Sequence, residues 1–70
     1  MTHLMNEMKA EARQKMEAAI EAKGARINYF TSAARVLADG RNLMCFCDPH
    51  SGAITWKLDG KRIAAAKVAA

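Results

Sequence analysis

Asn42-Leu43-Met44-Cys45-Phe46-Cys47-Asp48-Pro49-His50-Ser51-Gly52-Ala53-Ile54-Thr55-Trp56-Lys57-Leu58 is the stretch on which the fold turns. Two apolar, β-prone runs flank Asp48-Pro49-His50-Ser51-Gly52, a cluster of turn formers. That order predicts a β-hairpin over residues 42–58. Alternate strand residues face opposite ways, so Leu43, Cys45 and Cys47 share one face and Met44 and Phe46 the other. In the return strand Ile54, Trp56 and Leu58 share a face, which marks Trp56 as core. The first strand is apolar on both faces, the pattern of an inner strand or of an oligomer contact.

Outward from the hairpin the chain reads as helix. Residues 4–23 are dominated by Ala, Glu, Lys, Met, Gln and Arg, all good helix formers. Met5, Met8, Ala12, Met16, Ala19 and Ile20 recur at helical spacing and define one apolar stripe. Thr2 is the candidate cap, and Lys23 followed by Gly24 is a stop signal. The stripe reads first as a core face. A Met-rich stripe also suits an adaptable recognition surface. Beyond Gly24 the spacing of Ile27, Phe30, Ala34 and Leu37 continues the helical period, which predicts a second helical segment over residues 26–39. The competing reading is a short strand over 27–31 with Thr31 and Ser32 capping a shorter helix. Asp39-Gly40 and Asp59-Gly60 are turn pairs. Lys61, Arg62 and Ile63 with the Ala-rich tail Ala64–Ala70 predict a short terminal helix over residues 61–70. The expected fold is therefore α+β: a long N-terminal helix, a second helical segment, an antiparallel β-hairpin and a short C-terminal helix, in one domain over residues 1–70.

Seventy residues bury too little surface for ample stability without a staple. Two cysteines supply no disulfide framework, and no apolar run approaches the roughly 18 residues of a membrane span. A cytoplasmic, reducing setting with free thiols follows as an expectation, with no membrane role. The missing staple points to a homodimer or a partner protein, with the helix stripe and the two-sided strand as contacts. Net charge is +4 and uneven. Residues 1–22 carry Lys9, Arg13 and Lys15 against four glutamates, a net −1, whereas residues 23–70 carry eight cations against three aspartates, a net +5.

Chemistry is sparse. Cys45, Cys47 and His50 are metal-ligand types, with His3 as a fourth, but one intervening residue between the cysteines falls short of zinc-site spacing. Asp48, His50 and Ser51 are triad types crowded into one turn, where they cannot point at one another in sequence. No catalytic set, cofactor motif or metal site is read, and an enzyme is not expected. The candidate partner-binding residues are the cations Arg35, Arg41, Lys57, Lys61 and Arg62. They suit an acidic protein site or nucleic acid.

The run Thr55-Trp56-Lys57-Leu58-Asp59-Gly60-Lys61-Arg62-Ile63, followed by Ala66-Lys67, resembles the strand, Gly turn and helix that close many small phage and prophage accessory proteins. It covers about a fifth of the chain. What the resemblance implies is a regulator or inhibitor of the anti-CRISPR-like kind, which blocks a host protein or nucleoprotein complex stoichiometrically. A small basic nucleic-acid-binding transcriptional regulator is the alternative.

Overall fold

The computed structural model describes residues 1–69. Its elements are α1 (Thr2–Lys23), β1 (Thr31–Val36), β2 (Asn42–Cys47), β3 (Ile54–Leu58), β4 (Lys61–Ile63) and α2 (Ala65–Ala69). The four strands form one antiparallel sheet in the order β1-β2-β3-β4, a meander in which each strand pairs with its successor. The architecture is α+β, with α1 laid along one face of the sheet against β1 and β2.

α1 forms because its residues favour it, and it stops where expected. Gly24 adopts φ 72°, a left-handed conformation that costs glycine little, and its N–H bonds back to the Ile20 carbonyl at 2.9 Å. Thr2 is not the cap: the helix starts one residue earlier than a Thr2 cap requires, with Met1 in the capping position and no side-chain cap bond. The stripe is core. Met5, Met8 and Ala12 are buried with Leu43, Cys45, Cys47 and Trp56, and Met16 packs at the margin, where the Cys47 thiol reaches its sulfur at 3.6 Å.

The second helical segment expected over 26–39 does not exist. Residues 24–30 cross back irregularly and Thr31–Val36 is a strand in full register with β2, from Thr31 opposite Cys47 to Val36 opposite Asn42. The shorter helix of the competing reading is absent for the same reason. Tertiary pairing outweighs the helix propensity of Ala33 and Ala34. Thr31 and Ala33 point inward and are buried, and both are small. With Ala12 opposite, they let helix and strand approach closely enough for the Thr31 hydroxyl to donate to the Ala12 carbonyl at 2.7 Å. The hairpin over 42–58 is present as β2 and β3, and β2 is an interior strand. Asp59 and Gly60, at φ 49° and 82°, make the two-residue turn whose twist matches antiparallel strands. Residues 61–63, expected as the start of the terminal helix, are instead the strand β4, because the tight turn folds them back to pair with β3. That helix is α2; its expected last residue, Ala70, lies outside the described residues. Val68 tucks from α2 into the main core.

Candidate functional site

A sheet has two faces, and α1 covers one of them. Register fixes what the other displays. Ala34, Met44, Lys57 and Arg62 are successive cross-strand partners and form one row across all four strands. Ser32, Phe46 and Thr55 form the neighbouring row. No described element packs on this face: Ala34 and Arg62 are exposed, and Met44, Phe46, Thr55 and Lys57 are half-buried. Phe30, just ahead of β1, is 54% exposed. Phe30, Phe46, Thr55, Lys57 and Arg62 together line a shallow depression. The Lys57 ammonium lies 5.4 Å from the centre of the Phe46 ring, at the outer reach of a cation–π contact.

The charge of this face is one-sided. Among the described residues, no strand position holds Asp or Glu. All four glutamates lie on α1, in the other layer, and the aspartates sit in turns. Lys57 and Arg62 stand directly opposite each other on paired strands, and among the described residues neither makes an ion pair. Like charges placed so destabilise a sheet.

The five candidate cations are thus divided. Lys57 and Arg62 share the open face. Arg35 points to the helix side, where its guanidinium bonds Glu11 at 2.9 Å and draws that carboxyl below its usual range. Arg41 lies in the β1–β2 turn, its guanidinium 2.6 Å from Asp39. The Arg41 backbone N–H and that guanidinium hold the Asp39 carboxyl low. Lys61 flanks the Asp59-Gly60 turn on the helix side, opposite Leu58. Sequence reasoning missed Phe46 and Phe30 as site residues. Phe46 carried a usable signal, an aromatic on the second face of a strand already apolar on its first.

The other chemistry-bearing residues have structural surroundings. Cys45 and Cys47 are sealed beneath α1, and burial pushes the Cys45 thiol up. His50 and His3 are exposed, and among the described residues no group of three or more His, Cys, Asp or Glu side chains is placed to hold a metal ion. Asp48 shapes its loop: its carboxylate accepts the His50 N–H at 2.8 Å, which lowers its pKa, while Ser51 Oγ accepts the Ala53 N–H at 3.2 Å. No helix among the described residues is long and apolar enough to cross a membrane.

No family model matches this chain, and neither a curated protein nor a solved structure is significantly similar to it.

Proposed function

We propose that this chain is a small non-enzymatic binding protein, a regulator or inhibitor that occupies its partner stoichiometrically through the open face of the sheet. The reading rests on the Lys57–Arg62 pair. Two cations directly opposite on a sheet cost stability. Natural sequences tolerate such local conflict chiefly where function requires it. Half-exposed Phe46 and exposed Phe30 beside them add contact area of the kind that anchors interfaces. The likeness of residues 55–63 to phage accessory proteins suits the same mode, blocking a host protein or nucleoprotein complex. The alternative, a small nucleic-acid-binding regulator, is favoured by one specific observation, the aromatic side chains interleaved with the cations.

The test is affinity capture from the native host with the parent chain, Arg62→Glu and the control Lys23→Glu on the exposed end of α1. The expected outcome is one partner retained by the parent and the control and lost by Arg62→Glu. Equal capture by all three overturns the assignment of this face.

A further inference from the structure

Resting on the reading of the open face as the binding surface, we infer that its occupant is single-stranded nucleic acid, with bases laid on Phe46 and Phe30 and backbone phosphates held by Lys57 and Arg62. Charge comes first. The face presents Lys57 and Arg62 with no carboxylate at any described strand position, so its occupant carries negative charge. Shape comes next. The face is a twisted sheet with a shallow depression, and no helix projects from it toward a major groove. A duplex would meet the cations through phosphates alone and leave both aromatics unused. A single strand has unstacked bases, and a base can lie on an aromatic ring beside the cation that takes its phosphate.

The aromatics sit where this needs them. Phe46 and Phe30 line one depression with Lys57 and Arg62, so rings and charges meet in a single concavity. Thr55, the cross-strand partner of Phe46, also lines it. The Lys57 ammonium over the Phe46 ring is no obstacle. At 5.4 Å it is a loose contact on a flexible stem, and the same amine swings outward to meet a phosphate as a base takes its place. The β1 edge of the sheet is a poorer seat. On β1, Lys15 donates to the Ser32 carbonyl at 2.9 Å and Arg35 to the Ala34 carbonyl at 2.8 Å, so cations already occupy carbonyls there. Recognition through such a face is tolerant of sequence, since every base has a flat surface to stack.

Fluorescence anisotropy with labelled oligothymidylate and oligouridylate, and with a duplex of equal length, tests this on the full chain. The expected result is binding to the single strands in preference to the duplex. Phe46→Ala weakens single-strand binding about tenfold while the far-ultraviolet circular dichroism spectrum is retained. Two phosphate contacts give an affinity loss of about sevenfold between about 50 and about 200 mM salt, and Lys57→Gln roughly halves the logarithmic salt slope. Either variant suffices if the other fails to fold. Absence of single-strand binding at the lower salt, or binding indifferent to Phe46→Ala, overturns the inference. So does a second copy or an acidic protein found on this face. If host capture depends on Arg62 and survives nuclease while oligonucleotides do not bind, the binding-face reading stands and the nucleic-acid inference alone falls.

Discussion

Glu11 and Arg35 tie the two layers together. They meet at 2.9 Å between α1 and β1, with Lys15 also 3.4 Å from the same carboxylate. The hydrogen bond from Arg35 is the main reason the Glu11 carboxyl sits below its ordinary 4.5, with burial working the other way. A depressed carboxyl stabilises the fold fully above its unfolded value, and the contribution disappears as pH falls through the folded value. Asp39 and Asp48 are depressed as well and act in the same direction. Glu11→Gln should therefore lower the urea midpoint at neutral pH and flatten its decline below about pH 4.5, as measured by a denaturation series across pH. A parallel shift at every pH would contradict this role. Arg62 makes the opposite case. Arg62→Glu replaces a like-charged cross-strand pair with an attractive one, and it should raise stability by about 0.2–1 kcal/mol at low salt even as it abolishes binding. A variant that is both less stable and inactive would point to a structural role for Arg62.

At the scale of elements, the Asp59-Gly60 turn fixes the register that brings Lys57 and Arg62 together. Gly60 sits at φ 82°, and a Cβ there would meet nothing within 4 Å, so substitution is resisted by the backbone alone. Gly60→Ala should cost about 1–2 kcal/mol in chemical denaturation, with an unchanged spectrum; a neutral outcome would mean the turn relaxes freely. This turn was legible in the sequence, as were α1 and the hairpin, because propensity, period and turn residues agree there. β1 was not. Its residues Ala33, Ala34 and Arg35 are helix formers, and Phe30, Ala34 and Leu37 happen to fall at helical spacing. Its strand identity is conferred by β2 alongside and by the contact between Thr31 and Ala12, neither of which is local. The candidate site was half legible for the same reason. Lys57 and Arg62 were visible as cations, but they become partners only through β4, a three-residue strand whose sequence reads as the start of a helix. Phe46 becomes a surface residue only because α1 lies on the other face.

The whole molecule measures 40 × 17 × 17 Å. Its methionines and tryptophan reveal how the absent staple is offset. Met5, Met8 and Trp56 are sealed within one copy, so the first half of the helix stripe is core, while Met16, Ala19 and Ile20 stay half-buried. The open sheet face is uncovered and available for association. α1 is balanced, four cations against four glutamates, whereas the strands carry four cations and no carboxylate, so a polyanion should draw the molecule in sheet first. β1 ends the sheet, and an edge strand is a template on which further copies can stack. The Lys15 ammonium on the Ser32 carbonyl stands in the path of that growth. Lys15→Met, which leaves the Arg35–Glu11 pair in place, should shorten the lag before thioflavin-positive fibrils form under agitation, whereas equal lag times would mean that the tether is no barrier to polymerisation.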